Sequence, residues 1–426
     1  MKIVDVILSK SYTGFYFDDQ KAIKEGATLD GFRYVGEPKT PGFQSIRIPG
    51  EAISIQLVLE DGLVATGDCA AVQYSGAGGR DPLFLADDFI PFIEKELVPL
   101  LKGEDVSNFK SLAEKYDKLE INGKRLHTAI RYGITQALLK ATSLVKRKTM
   151  AEVVREEYGI TDTKYEEVAV FSQSGDDRYL NADKMIIKQV DVLPHALINH
   201  VETKLGKNGE ILREYIKYLK NRILDIRASE DYNPVIQVDV YGTIGMIFDN
   251  DSRKIVDYLK ELASVASPFK LRVEGPVDAG SREATMQSLK EITALIDAEN
   301  VGVEIVADEW CNTLEDVKYF ADNKAGHILQ IKTPDLGGVN NVVEAIMYCN
   351  EKGIGAYCGG TCNETSISCE VTTNIAIGAK ASQILAKPGM GVDEAIMIVR
   401  NEMNRVLALA NRRWLNENWN LWELRI

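Results

Sequence analysis

The sequence predicts an α/β protein that consists of a TIM-type β/α barrel and an N-terminal α+β capping domain. Its 426 residues suit a barrel of about 250 residues together with a smaller companion domain. From about residue 165 onward, short apolar segments alternate with amphipathic ones, which is the pattern of parallel strands that are each followed by a helix. Three of these predicted strands end in acidic residues at nearly equal spacing.

The first part of the chain has a different pattern and predicts a separate domain. The strand-like run SIQLVLEDG precedes two helical segments, LFLADDFIPFIEKELVPLL and LHTAIRYGITQALLKATSLV. We therefore assign residues 1–160 to the capping domain, 161–413 to the barrel and 414–426 to a tryptophan-rich tail. The predicted barrel strands include 236–240, 271–275, 303–309, 327–332 and 355–360.

The composition argues against several classes of partner. Sixty-three acidic and 50 basic side chains give a formal net charge of -13, which disfavours binding to nucleic-acid backbones or anionic membranes. The six cysteines form no C-x-x-C pair, which favours reduced thiols and a cytoplasmic location. No stretch approaches the roughly 20 apolar residues that cross a bilayer. We expect a cytoplasmic protein that binds neither nucleic acid nor membrane.

Three acidic residues mark the ends of successive predicted strands. Asp239, Glu274 and Asp308 are 35 and 34 residues apart, which is one strand-helix unit per step. In a parallel barrel these strand ends meet at one mouth, where catalytic groups collect. Three carboxylates there would repel one another unless a hard cation neutralised them, and oxygen-only ligands favour Mg²⁺. Alternatively each acid only caps the following helix, and Glu309 competes with Asp308 for the ligand position.

The next strand predicts a general base. In HILQIKTPDLGG, Gln330 and Lys332 are two residues apart and point to the same side, into the barrel mouth. A desolvated lysine beside a divalent cation has a lowered pKa, which suits proton abstraction next to a carboxylate. The alternative is a lysine that pairs with an acid and performs no chemistry. His195 follows an earlier strand-like run and could face Lys332 across a bound substrate.

Two glycine-containing segments complete the candidate site. The run AYCGGTCNET offers backbone N–H groups, the Thr361 hydroxyl and the Cys362 thiol to a carboxylate, although a plain turn between strand and helix fits the spacing nearly as well. The segment YSGAGGRDP predicts a loop or lid, because it lacks the G-K-[ST] ending of a phosphate-binding loop.

Long strings of the sequence resemble one known family. GDCAAVQYSGAGGRDPLFLA, RLHTAIRYGITQA, QIKTPDLGGVNN, AYCGGTCNET and LAKPGMGVDE are similar to the methylaspartate ammonia-lyase (3-methylaspartase) family of the enolase superfamily. The likeness extends to about residue 413, beyond which the tail cannot be matched. It implies reversible elimination of ammonia from (2S,3S)-3-methylaspartate to give mesaconate, as in glutamate degradation. It also implies a Mg²⁺ requirement, activation by a monovalent cation such as K⁺, and a homodimer.

The resemblance also implies roles for individual residues. Asp239, Glu274 and Asp308 would be the metal ligands, Lys332 the base for the (3S) proton, and His195 its partner on the opposite face. Gln330 would contact the metal-bound carboxylate. The remaining expected substrate contacts are Gln173, Thr361 and Cys362 for the other carboxylate and the amine, Gln73 from the capping domain, and Phe171, Tyr357 and Leu385 around the methyl group.

Two other functions fit a barrel of this kind. One is dehydration or racemisation of an acid sugar or a dipeptide, but relatives with those activities usually carry a K-x-K pair on the second barrel strand. Here Lys188 has no second lysine at that spacing. The other is a barrel retained as a structural or binding protein, which we would expect to have lost Lys332 or one of the three acids.

Overall fold

The fold is described from a computed structural model that covers residues 1–77, 79–162 and 164–415, with side chains to residue 412. Nearly all of the predicted tail at 414–426 therefore lies outside the described residues. The closed parallel barrel and the N-terminal strand-and-helix domain confirm the predicted fold class. No helix in the described part of the chain combines the length and apolar character that a membrane-crossing segment needs.

The N-terminal domain is built on a three-stranded antiparallel sheet in the order β1-β4-β5. Its long helix α5 (Thr128–Lys146) packs on this sheet, and most of its side chains are buried. The strands of the domain are β1 (Ile3–Asp18), β2 (Thr28–Asp30), β3 (Arg33–Val35), β4 (Arg47–Leu59), β5 (Val64–Ala70), β6 (Glu120–Ile121) and β7 (Lys124–Arg125). Its other helices are α1 (Gln20–Lys24), α2 (Ala86–Phe92), α3 (Val98–Leu101), α4 (Phe109–Asp117) and α6 (Met150–Tyr158), with a π-helical turn at Ile93–Leu97.

Eight parallel strands close the barrel, and each lies beside the next strand in the chain, with β15 returning to β8. The strands are β8 (Ala169–Phe171), β9 (Val192–His195), β10 (Val235–Asp239), β11 (Leu271–Glu274), β12 (Val303–Ala307), β13 (Ile328–Lys332), β14 (Gly355–Gly359) and β15 (Gln383–Leu385). The helices are α7 (Arg178–Ile187), α8 (Glu210–Ile226), α9 (Thr243–Ile247), α10 (Ser252–Ala266), α11 (Arg282–Glu299), α12 (Leu314–Asp322), α13 (Val339–Glu351), α14 (Ser366–Ala379) and α15 (Val392–Leu415), with a π-helical turn at Val201–Leu205.

Helix α10 shows how local sequence sets these elements. Its N-cap, Asp251, accepts hydrogen bonds from the backbone N–H groups of Arg253 and Lys254, which the first helical turn cannot pair internally. Leu259 and Leu262 lie on its buried face, as the apolar spacing predicts. The helix is thereby held against the outside of the barrel, and the following strand β11 begins at a defined position.

A fully buried ion pair of the barrel also contacts the N-terminal domain through its carboxylate. Lys387 Nζ lies 2.7 Å from Glu364 Oε1, and neither side chain is exposed to solvent. Glu364 also accepts hydrogen bonds from the hydroxyl groups of Thr333, at 2.7 Å, and Tyr132, at 3.0 Å. Because Tyr132 belongs to α5, this one carboxylate joins the ends of three barrel strands to the capping domain.

Lys387→Met should destabilise the protein strongly, because it leaves the Glu364 carboxylate buried without a counter-charge. Breaking a buried pair in this way costs about 3–5 kcal/mol. The measurement is the free energy of unfolding from urea denaturation. Lys380→Met is the control, since the Lys380–Asp162 pair is half exposed and should contribute little. Equally small effects for both variants would show that the buried pair does not stabilise the fold.

Candidate active site at the barrel mouth

The predicted acidic residues lie where their strands end. Asp239 is the last residue of β10 and Glu274 the last of β11, and the two are paired in the strand register. Asp308 directly follows β12. All three are buried. The carboxyl ends of three neighbouring parallel strands therefore bring three carboxylates into one mouth, as the 34- to 35-residue spacing predicts.

The structure groups these acids differently from the predicted ligand set. Possible ligand atoms of His195, Asp239 and Glu274 lie within 4.8 Å of one another. His195 Nε2 is 3.3 Å from Asp239 Oδ2, because β9 and β10 are neighbours. Asp308 lies outside this group, and its Oδ1 atom is 2.6 Å from Lys332 Nζ. Its role as a metal ligand stays a prediction.

The electrostatics of the acidic cluster fit a divalent cation. Burial raises the pKa of Glu274 well above its ordinary value, and the charges of Asp239 and Asp308 raise it further. Burial also raises the pKa of Asp308, although Lys332 opposes this effect. A hard cation held by these oxygens would offset both the desolvation and the mutual repulsion. These carboxylate oxygens suit Mg²⁺ better than a softer metal.

Lys332 is the last residue of β13 and is buried, as predicted for an interior base. Burial alone lowers its pKa, but the nearby charges of Asp308 and Glu309 outweigh this effect and raise the pKa above its ordinary value. The lowered pKa that we expect beside a divalent cation stays a prediction. The lysine pairs with Asp308, which the sequence analysis considered only as the non-catalytic alternative.

His195 ends β9 in a strained conformation that fixes its direction. Its φ is 69°, and the next residues, Ala196 and Leu197, also have positive φ values of 73° and 47°. Left-handed backbone is uncommon for non-glycine residues and clusters at functional sites. Nδ1 of His195 is a buried atom with no hydrogen-bond partner among the described residues. A bound ligand could satisfy it.

Gln330 and a residue that the sequence analysis missed, Gln237, hold the Glu274 carboxylate. Their side-chain amides each donate to one oxygen of Glu274, both at 2.7 Å. Gln237 lies two residues before Asp239 in the same strand, so period-two alternation could have identified it. Gly360 allows the close approach of the next loop, since a Cβ there would lie 2.6 Å from the Gln330 amide carbon.

The residues of the predicted carboxylate clamp follow two barrel strands, β14 and β8. Thr361 and Cys362 follow β14 and are buried, and Gln173 follows β8, with β15 between them. Gln173 Nε2 lies 2.6 Å from the sulfur of Met390. Gln73 of the N-terminal domain reaches this side, because its Oε1 atom is 3.9 Å from Cys362 Sγ.

The three residues predicted to surround a methyl group lie in one apolar cluster within the barrel. Phe171, Tyr357 and Leu385 pack together there with apolar residues of other barrel strands. The rings of Phe171 and Tyr357 are 5.4 Å apart and meet edge to face, and Phe171 also contacts His195, with 5.8 Å between ring centres. An apolar wall thus adjoins the predicted catalytic histidine.

An ion pair between Arg80 and Asp335 connects the glycine-rich loop YSGAGGRDP to the barrel mouth, and the sequence did not predict it. Arg80 makes two hydrogen bonds to Asp335 Oδ2, of 3.1 and 3.0 Å, just beyond the end of β13. Its counterpart is 255 residues away in the chain, so no local pattern could reveal the contact.

The barrel and the N-terminal domain form a two-domain fold that occurs in other enzymes. Muconate cycloisomerase from Pseudomonas fluorescens shares this fold, with a TM-score of 0.57 over 93% of this chain and 87% of that chain, at 17% sequence identity. A likeness at so low an identity concerns the fold alone.

Sequence comparisons then identify the family. Models of the N-terminus and the C-terminus of methylaspartate ammonia-lyase match residues 1–159 and 162–412. The methylaspartate ammonia-lyase of Clostridium tetanomorphum is 62% identical over 413 residues, which cover 97% of this chain and all of the relative. That of Citrobacter amalonaticus is 54% identical over 409 residues, covering 96% of this chain and 99% of the relative.

Solved structures of these relatives agree with the sequence match. The Mg-complex of beta-methylaspartase from Clostridium tetanomorphum has a TM-score of 0.95 and covers 97% of this chain and 100% of that one. The Citrobacter amalonaticus enzyme containing (2S,3S)-3-methylaspartic acid also has a TM-score of 0.95, covering 96% of this chain and 100% of that one. The chain belongs to the methylaspartate ammonia-lyase family and is an ammonia-lyase.

Glu274→Gln should weaken binding of Mg²⁺ roughly a hundredfold or more, since even residues that only support a ligand commonly contribute ten- to a hundredfold. The change removes one negative charge but keeps the shape of the side chain. Titration calorimetry on the full chain measures the affinity directly. Glu299→Gln is the control, because this carboxylate lies on α11 and pairs with Arg253. Unchanged affinity in Glu274→Gln would remove this residue from the metal site.

Proposed function

We propose that this ammonia-lyase catalyses the reversible, Mg²⁺-dependent elimination of ammonia from (2S,3S)-3-methylaspartate to give mesaconate. The observation that supports this most is the placement of Lys332 and His195. They end β13 and β9, which are four strands apart in an eight-stranded ring and so lie on opposite sides of the mouth. The acids of β10, β11 and β12 lie between them on one half of the rim.

Lys332 removes the proton from C3 of the substrate. The electron pair of the C3–H bond becomes the C2=C3 double bond, and the C2–N bond breaks to release ammonia. Lys332 must be neutral to accept this proton, so its pairing with Asp308 has to be given up before the reaction. In the reverse direction ammonia adds to C2, and Lys332 returns the proton to C3.

Asp239, Glu274 and Asp308 would hold the metal on the acidic half of the mouth. A bound Mg²⁺ supplies positive charge that stabilises the negative charge developing on the substrate carboxylate as the proton leaves. Gln237 and Gln330 keep the Glu274 oxygens in place for this purpose. The low exposure of the cluster strengthens these electrostatic effects.

The other half of the mouth orients the substrate. Thr361, Cys362 and Gln173 bind the second carboxylate and the amine, while the apolar cluster that contains Phe171 and Leu385 accepts the methyl group. His195 stabilises charge on the face opposite Lys332 and serves as the base for the epimeric substrate. The relative from Citrobacter amalonaticus, whose crystal structure contains (2S,3S)-3-methylaspartic acid, supports the choice of substrate.

Three further parts of the proposal come from the family resemblance. A monovalent cation such as K⁺ activates the enzyme, two copies of the chain form a homodimer, and the reaction belongs to glutamate degradation through mesaconate. Each can be tested separately from the chemistry of the site.

The first test is the reaction itself. The protein is mixed with Mg²⁺, K⁺ and (2S,3S)-3-methylaspartate, and the ultraviolet absorbance of the conjugated diacid is followed. Absorbance should rise with metal present and stay flat when a chelator is added in excess. A flat trace in the metal-replete sample would contradict the proposed reaction, and an unchanged rise with chelator would contradict its dependence on Mg²⁺.

Lys332→Ala should lower kcat for the (2S,3S) substrate at least about a hundredfold, because proton transfer by a positioned group contributes that much or more. Lys324→Ala is the control, since that lysine follows α12 away from the mouth and should leave turnover unchanged. Thermal unfolding of both variants checks that the fold is retained. Substantial activity in Lys332→Ala would place the base elsewhere.

A further inference from the structure

A buried ion pair in the N-terminal domain lies directly against Gln73. Asp18 ends β1 and Arg47 begins β4, and the two residues are paired in the strand register. Arg47 Nε donates to Asp18 Oδ1, and Arg47 Nη2 donates to Asp18 Oδ2, each at 2.7 Å. The side chains are only 11% and 1% exposed, so this two-bond contact is shielded from water.

Asp18 also binds Gln73 by two hydrogen bonds. Gln73 Nε2 donates to Asp18 Oδ2 at 2.6 Å, and the backbone N–H of Asp18 donates to the Gln73 carbonyl at 3.0 Å. An ionised carboxylate only accepts hydrogen bonds, so the Gln73 amide must turn its nitrogen toward Asp18. Its Oε1 atom then faces the other way, toward Cys362 in the barrel mouth.

Arg47 is itself held in place by its surroundings. Its guanidinium carbon lies 4.7 Å from the ring centre of Phe32 and 4.8 Å from that of Tyr34, and Nη1 donates to the Phe32 carbonyl at 2.9 Å. Arginine does not lose its charge in proteins, and the aromatic faces stabilise it. Asp18 is therefore kept as a fixed negative acceptor beside Gln73.

We propose that Asp18, held by Arg47, is a positioning residue that aims the Gln73 amide oxygen into the active site to accept a hydrogen bond from the reacting amine. This inference rests on the proposed function. An amide oxygen attracts an ammonium or ammonia N–H and repels a carboxylate, so a Gln73 fixed in this orientation selects the amine rather than the acid groups of the substrate. The capping domain thereby contributes to the choice of nucleophile in the addition reaction.

The test uses the full-length protein with Mg²⁺ and follows ammonia addition to mesaconate. Asp18→Asn removes the charge that orients Gln73, so the KM for ammonia should rise about tenfold, as for loss of one hydrogen bond to a charged group. The KM for mesaconate should change less than about twofold, since residues other than Gln73 bind its carboxylates. Asp68→Asn is the matched control, because Asp68 is a buried carboxylate of the same sheet that accepts a hydrogen bond from Ser54 and not from Gln73.

A second comparison separates positioning from general damage to the fold. In a Gln73→Ala background, Asp18→Asn should cause no further rise in the ammonia KM, because it acts only through Gln73. Arg47→Lys, which keeps the charge but loses the two-bond grip, should raise the ammonia KM in the same direction and by less. If Asp18→Asn does not fold, the ammonia KM of Arg47→Lys tests the positioning role instead.

The outcomes separate this inference from the proposed reaction. An unchanged protein that adds no ammonia to mesaconate would overturn both. An active protein whose Asp18 or Arg47 variants raise both KM values equally, or raise neither, would overturn the positioning role alone. The positioning role would also be overturned if Asp18→Asn raised the ammonia KM by the same factor in the Gln73→Ala background as in the unchanged protein.

Discussion

Repulsion among the carboxylates at the barrel mouth is the constraint on which the rest of the site depends. Asp239, Glu274 and Asp308 are buried together because neighbouring parallel strands must end at the same edge. Burial and this repulsion raise the pKa of Glu274 well above its ordinary value, and Asp308 pairs with Lys332. A cation among the acids would remove the need for that pairing, and the lysine that now neutralises an acid would become available as a base.

Different strands of the barrel contribute different parts of the proposed site. Six of the proposed site residues are the last residues of their strands, including His195 on β9 and Lys332 on β13. The acidic arc runs between these two strands, and the other arc, β14, β15 and β8, provides the clamp and the apolar wall. The strands are short and the helices lie outside them. Each strand therefore contributes only one or two groups to the mouth of the barrel.

Much of this arrangement could be predicted from spacing, and the two exceptions have different causes. Regular strand-helix units determined where Asp239, Glu274 and Lys332 would lie, and alternation placed Gln330 on the inner face. That Asp308 would be the acid paired with Lys332 could not be predicted, because this depends on which of several nearby charges lies closest. The contact between Asp18 and Gln73 was missed for a different reason. It spans 55 residues and joins the ends of two strands of another domain.

The most direct test of this account is a crystal structure of the full chain with Mn²⁺ in place of Mg²⁺, using anomalous scattering to locate the ion. We expect one peak bound by oxygens of Asp239, Glu274 and Asp308, with Asp308 moved out of hydrogen-bond reach of Lys332 Nζ. A peak coordinated by His195, Asp239 and Glu274, with the Lys332–Asp308 pair intact, would contradict the proposed ligand set and the release of the base.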